Sequence, residues 1–353
     1  MYLALFFLCV TMQARIFPYI KGLRGEACLF LSLWFWEHYF PRNISSLLEN
    51  KNPLVSIALK RGAFMKLAES IAGSSPFYSL EFFPPKDADL QPKFFATVEK
   101  LRALNPLFAS VTYGAGGGTQ ENTLGITARL AESGLAPMAH LTCVGATEER
   151  IEAFLTRLNE AGVTNVLALR GDEPQDSQED WEAGPFRYAS DLVRFVTHRF
   201  PHFGVAVAAY PTPHPQSETF ASDRAYTRLK LEAGGDFAVT QLFFDVREYF
   251  EFVAQMRALG VDKPIIPGVL PIQSLESIRR ILSLSGGSIP AKLYLSLEAA
   301  QERGGPQAVR DAGIAFAVEQ IRRLLDGGAP GIHLYTLNQA ETCLRIAEAV
   351  GPL

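Results

Sequence analysis

Val166-Leu-Ala-Leu-Arg-Gly-Asp172 is the stretch that decides how the rest of the chain is read. Its first four residues form an apolar run without an interspersed polar side chain, the pattern of a strand buried on both faces. The run stops on Gly171, flanked by Arg170 and Asp172. A buried strand that delivers a cation, a glycine and a carboxylate where it leaves the core is how a parallel barrel presents chemistry. A strand-end turn with solvated charges fits the same stretch. An Arg-Gly-Asp adhesion tripeptide fits it poorly, because the triplet abuts a buried strand rather than a loop tip.

The same rhythm repeats on both sides. Period and turn signals predict strands over 77–83, 108–113, 137–144, 165–169, 203–209, 237–242, 264–269 and 331–335. Helical patterns follow over 93–104, 122–133, 147–161, 190–199, 223–233, 246–259, 274–284 and 339–350, with an extra helical segment over 291–325. Thr147 before Glu148 and Glu149 reads as an N-cap with carboxylates suited to the helix dipole. Strand–helix units repeating over about 275 residues predict an α/β fold, a (β/α)8 TIM-type barrel with the extra segment before strand eight. No Gly-x-Gly-x-x-Gly follows the first strand, which argues against a dinucleotide-binding doubly wound sheet.

Composition narrows the function classes. The chain has 353 residues, 48% hydrophobic and 20% charged, enough to bury a large core. A formal charge of −4 without a Lys/Arg cluster excludes a nucleic-acid surface as the leading reading. Cys9, Cys28, Cys143 and Cys343 are scattered without a Cys-x-x-Cys pair, which fits a reducing, cytoplasmic setting and no disulfide framework or zinc knuckle. Residues 2–10 and 28–36 are apolar runs that fall short of the ~18 residues of a membrane span. Residues 1–64 are therefore expected to be an extension outside the barrel of 65–353, an upstream translation with Met65 as the start. A membrane-associating leader is the rival reading.

Functional side chains gather at the strand ends. The first strand gives Glu81 before Phe82-Phe83-Pro84-Pro85, and the second gives Thr112-Tyr113 and the glycine-rich run Gly114 to Thr119. The third gives His140-Leu-Thr-Cys143, the fourth Arg170-Gly171-Asp172, the fifth Tyr210 to Pro215 with His214. Gln241 ends the sixth, and His333, Tyr335 and Asn338 lie at the eighth. Glu81, set among apolar residues, is either a lumen carboxylate or one end of a buried ion pair. In an apolar pocket its pKa would rise, so that it could hold a proton as a general acid. The glycine run is either a flexible turn or a loop whose amides approach a flat or phosphorylated ligand. His140, His214 and Cys143 match no metal-ligand spacing, and no metal is expected. Asp223, Arg224 and Lys230 read as a solvated helix face unless they reach a phosphate.

Taken in order, Ser79-Leu-Glu-Phe-Phe-Pro-Pro85, Val111-Thr-Tyr-Gly-Ala-Gly-Gly117, His140-Leu-Thr-Cys143, Leu169-Arg-Gly-Asp172, Thr240-Gln241, Pro267-Gly-Val-Leu-Pro271 and Leu334-Tyr-Thr-Leu-Asn338 resemble the methylenetetrahydrofolate reductases. The resemblance runs from about residue 76 to the C-terminus and looks like the short bacterial form. It implies an FAD-containing barrel that reduces 5,10-methylenetetrahydrofolate to 5-methyltetrahydrofolate with NAD(P)H by a ping-pong route, supplying methyl groups for methionine synthesis. It also implies a homo-oligomer, without nucleic-acid or membrane partners for the barrel.

Carried over by residue, the resemblance implies that Glu81 is the general acid that opens the bridging ring to an iminium. Asp172 is then the carboxylate at the flavin pyrimidine edge that also meets the pterin. Thr112, Tyr113, Ala115, His140, Arg170, Gly171, Asp172, Tyr188, Ala189, Tyr210, His214, Asp223 and Lys230 fall where the family binds FAD, with Lys230 as the diphosphate cation. Thr112, Asp172, Gln241 and Gln339 fall at substrate positions. Gln339 stands where bacterial members carry Arg, and Ser277 where a folate-contacting Gln is found. Another flavin barrel oxidoreductase, resembling proline dehydrogenase, and a non-catalytic folate- or flavin-binding relative are the alternatives.

Overall fold

The computed structural model describes residues 66–353 apart from Ser75, 114–119 and 173–183. The extension expected over 1–64, and the glycine-rich run with Ala115, lie outside the described residues. The strands are β1 Tyr78–Phe82, β2 Ala109–Val111, β3 Pro137–Thr142, β4 Asn165–Leu169, β5 Gly204–Ala209, β6 Phe237–Thr240, β7 Ile265–Ile266, β8 Gly268–Val269 and β9 Ile332–Tyr335. All pair in parallel, in the order β7-β6-β5-β4-β3-β2-β1-β9-β8. The helices are α1 Leu67–Gly73, α2 Gln91–Leu101, α3 Gln120–Glu132, α4 Glu148–Glu160, α5 Ala189–Arg199, α6 Phe220–Glu232, α7 Val246–Ala258, α8 Leu275–Ser285, α9 Ala291–Asp326 and α10 Ala340–Val350.

This is the expected α/β barrel, with one difference. The strand expected over 264–269 is two short strands separated by Pro267. Ile265–Ile266 pairs with β6, Gly268–Val269 pairs with β9, and the carbonyl of Pro267 accepts from His333 N at 2.9 Å. Proline has no N–H to give the ladder, so the strand changes partner around it. The two halves bring β6 and β9 to one seam.

Alternation along each strand divides the core. Leu80, Phe82, Val166, Ala168, Val205, Val207 and Leu334 face the helices. Phe108, Met138, Leu167, Ala206, Phe237, Val239 and Ile266 fill the lower lumen. Each large apolar side chain so buried contributes roughly 1.5–3 kcal/mol. Above this layer the lumen carries the polar side chains Glu81, His140 and His333.

Three local features explain how the helices are set. In α4 the Thr147 side chain accepts from Arg150 N, and Ile151, Phe154, Leu155 and Leu158 form its buried stripe, as the cap and period predict. Helix α9 bends at Gly304–Gly305, with φ of −154° and 64°, just before Pro306. Helix α1, which sequence reasoning did not foresee, plugs the lower mouth with Leu67 and Ile71. Its Leu67 N–H donates to Asn165 Oδ1 at 3.0 Å. Among the described residues no helix is long and apolar enough to cross a membrane.

Candidate active site

In β1 the period of two turns Leu80 and Phe82 outward and leaves Ser79 and Glu81 in the lumen. Glu81 is 6% exposed and lies between two imidazoles. His140 Nε2 of β3 is 3.4 Å from Glu81 Oε2, within ion-pair reach but not aligned as a hydrogen bond. His333 Nε2 of β9 is 3.5 Å from the same oxygen. The other His333 nitrogen, Nδ1, is 2.9 Å from Ser79 Oγ, and its ring stacks on Phe108 with centroids 5.8 Å apart.

The carboxyl does not behave as an apolar pocket alone would make it. Burial pushes its pKa up, but the contacts and charge of His140 and His333 outweigh burial and bring it down to about 2. The expected raised pKa is thus corrected. Glu81 is both a lumen carboxylate and a member of a buried ionisable set, and protons belong to such a set rather than to one atom. Tyr335 closes the set on the β9 side, its hydroxyl donating to Thr240 O at 2.7 Å. Burial, then Glu81 and Tyr210, push its phenol well up. Gly268 permits this crossing, since a Cβ there would stand 2.4 Å from Thr240 O and 2.7 Å from the Tyr335 ring.

A second group lies along β4, β5 and α6. Gly171 has φ of 87°, and a Cβ would stand 3.0 Å from both Thr142 Cβ and Val144 Cγ1. Only glycine turns the chain here while the Arg170 carbonyl takes the N–H groups of Cys143 and Val144 at 3.1 and 2.8 Å. Beyond it, Asp172 is exposed, and its charge is felt at Tyr210 and His214. The rings of Tyr210 and His214 meet edge-on at 4.9 Å. Burial and the carboxylates of Asp223 and Asp172 push the Tyr210 phenol up to about 12. Lys230 Nζ donates to Ala208 O at 2.5 Å and sits 5.7 Å over the Tyr210 ring. Burial, opposed by Asp223, lowers its ammonium to about 8.

Asp223 and Arg224 are not a solvated face; each is 4% exposed. Asp223 Oδ2 accepts from His214 N and Ser217 Oγ, both at 3.0 Å, and Arg224 holds the carbonyls of Tyr210 and Pro211 at 3.1 and 2.8 Å. Together they fix the loop after β5.

These two groups form a polar arc across the C-terminal ends of the strands, joined where Tyr210 meets Tyr335 electrostatically. The family model for methylenetetrahydrofolate reductase matches residues 66–351, the whole of this barrel. The chain belongs to the methylenetetrahydrofolate reductase family. It is 37% identical over 287 residues to methylenetetrahydrofolate reductase (NADH) 1 of Arabidopsis thaliana, covering 78% of this chain and 48% of that protein. It is 32% identical over 274 residues to 5,10-methylenetetrahydrofolate reductase of Pectobacterium carotovorum subsp. carotovorum, covering 77% and 89%. The chain thus spans about half the length of the plant relative and most of the bacterial one. Among solved structures, a Clostridium thermocellum protein that binds two copies of 5-methyl-5,6,7,8-tetrahydrofolic acid shares the fold. Its TM-score is 0.58 at 15% identity, covering 80% of this chain and 97% of that one.

The remaining positions expected from methylenetetrahydrofolate reductases are spread over the loops and helix starts that follow β2, β4, β6, β8 and β9. Thr112 and Tyr113 follow β2, with Thr112 buried and Tyr113 half-buried. Tyr188 is exposed at the N-cap of α5, stacked 6.3 Å from Tyr226, and Ala189 opens that helix. Gln241 is half-buried after β6, its Oε1 accepting from Leu242 N at 2.9 Å. Gln339 is exposed at the start of α10. Ser277 is absorbed in capping α8, its hydroxyl donating to Ser274 O at 2.9 Å.

Sequence reasoning placed His333 and Tyr335 at a strand end without giving them a role, and it missed Ser79 as a member of the site. The signal was present: Ser79 and Glu81, like His333 and Tyr335, are two apart on a strand and share a face.

Proposed function

We propose that this chain reduces 5,10-methylenetetrahydrofolate to 5-methyltetrahydrofolate with a reduced nicotinamide and FAD. The nicotinamide leaves before folate enters the same face, and the product serves methionine synthesis. The observation that carries this reading is a buried carboxylate between two imidazoles, at the pole of a barrel from this family.

The residues present fit the flavin nucleotide. Lys230 is a half-buried cation whose hydrogen bond goes only to a backbone carbonyl among the described residues, which suits a diphosphate. Tyr210, His214, Thr112 and Tyr113 offer the flat and polar surfaces around it, with Arg170, Gly171 and Tyr188 beside them. When bound, FAD supplies the hydride carrier between nicotinamide and folate.

The chain's own residues do the rest. Glu81 delivers a proton to N10 of the bridging ring, whose C–N bond breaks to leave the iminium that accepts hydride at carbon. A flat ligand covering the pole excludes water and disfavours the charged carboxylate. A proton shared within the Glu81–His140–His333 set then moves onto Glu81, which reconciles a low pKa in the open site with a role as acid. Over the cycle one proton is taken from solvent. Asp172 orients the pterin and pairs with its developing cation, and Gln241 contacts both flat substrates.

Purified full-length protein reconstituted with FAD tests the reading. Bleaching of the flavin bands by NADH or NADPH, followed by recovery on adding methylenetetrahydrofolate, is expected. Bleaching of the flavin bands by proline instead of NADH or NADPH, with recovery on adding a dye, or no flavin bands at all, would refute it.

A further inference from the structure

Among the described residues, three lumen atoms beside Glu81 have no hydrogen-bond partner: Ser110 Oγ, Thr112 Oγ1 and His140 Nε2. Their residues are 0%, 7% and 6% exposed, so none turns to solvent instead. Strand β2, which carries Ser110 and runs on into Thr112, lies between β1 with Glu81 and β3 with His140. The register sets Ser110 beside Glu81 on one side and beside Met138 on the other. The Glu81–His140 contact at 3.4 Å therefore spans β2, over these two hydroxyls.

A serine here needs a reason. The layer just below is Phe108, Met138 and Leu167, where an alanine or valine would pack without an orphaned hydroxyl. A buried water needs two to four polar partners. Ser110 Oγ, Thr112 Oγ1, His140 Nε2 and the Glu81 carboxylate supply that set on three adjacent strands.

We infer that Ser110 holds one internal water that bridges its hydroxyl to His140 and Glu81, making Ser110 a positioning residue for the proton that Glu81 delivers. This rests on the reading of Glu81 as the acid. Ser110 neither gains nor loses a proton over the cycle. Its water donates to the ionised carboxylate and so favours that form until a ligand covers the pole. The titratable groups that face Glu81 among the described residues are His140 from β3 and His333 and Tyr335 from β9. Ser79 from β1 and Ser110 and Thr112 from β2 are polar without titrating.

The test is infrared titration of the Glu81 carboxyl stretch in the full-length flavin-loaded protein, assigned by difference against Glu81→Gln. Ser110→Ala should raise the midpoint by about one pH unit, the effect of roughly one hydrogen bond to a charged group. Ser110→Thr, which keeps the hydroxyl, should restore it, with melting temperatures unchanged. A midpoint that stays put in Ser110→Ala, or shifts equally in Ser110→Thr, overturns the inference. If the shifts appear but the wild-type protein does not reduce methylenetetrahydrofolate, the folate reading fails and the Ser110 bridge stands.

Discussion

Ser79 and His333 are register partners on β1 and β9, and their side chains meet in the lumen with Oγ 2.9 Å from Nδ1. That contact engages one ring nitrogen and leaves the other turned toward Glu81. Serine therefore acts on the carboxylate through the imidazole, by fixing its orientation.

Ser79→Ala should slow folate reduction about tenfold, the order expected from one hydrogen bond in a charged network. Flavin reduction by the nicotinamide should be unchanged, because no proton passes through the set in that step. Separate stopped-flow traces for the two half-reactions check this, and equal slowing of both would count against it.

Gly171→Ala should cost about 1–2 kcal/mol for the left-handed backbone alone. The methyl would also press on Thr142 and Val144, each 3.0 Å from its place. Because Asp172 is the next residue, the same substitution should weaken folate reduction more than it lowers stability. Urea denaturation read beside the folate half-reaction measures the two effects.

Lys230 carries a pH prediction. Burial lowers its ammonium to about 8 from 10.5, so in the cofactor-free protein its charge is present below about 8 and lost above. FAD affinity should fall as pH rises through that value, and should be low at every pH in Lys230→Met. The stability sign is the reverse. Between 8 and 10.5 the unfolded chain binds more protons than the folded one, so the cofactor-free protein gains stability as pH rises through that window. Quenching of flavin fluorescence and thermal melts across pH would report both trends.

The barrel was legible because each strand carries its own evidence. Val166 to Leu169 reads as buried before any partner is known, and Thr147 with Glu148 and Glu149 marks a helix start by local chemistry. The division of the seventh strand was not legible, since Pro267 breaks the ladder only when strands on both sides compete for its neighbours. The candidate site was half legible. Glu81 stood out as a carboxyl in an apolar run, yet the direction of its pKa depends on His140 and His333, which lie 59 and 252 residues away in the chain. Asp223 and Arg224 looked like surface charges because nothing local shows that the loop after β5 folds over them.

On the proposed mechanism Glu81 delivers a proton to folate and takes no part in flavin reduction. Rapid-mixing absorbance of the flavin in Glu81→Gln, with each substrate in turn, tests it most directly. Flavin reduction at the wild-type rate is expected, with folate reduction slowed by at least about 100-fold, the scale of general acid catalysis. Folate reduction at the wild-type rate would contradict it.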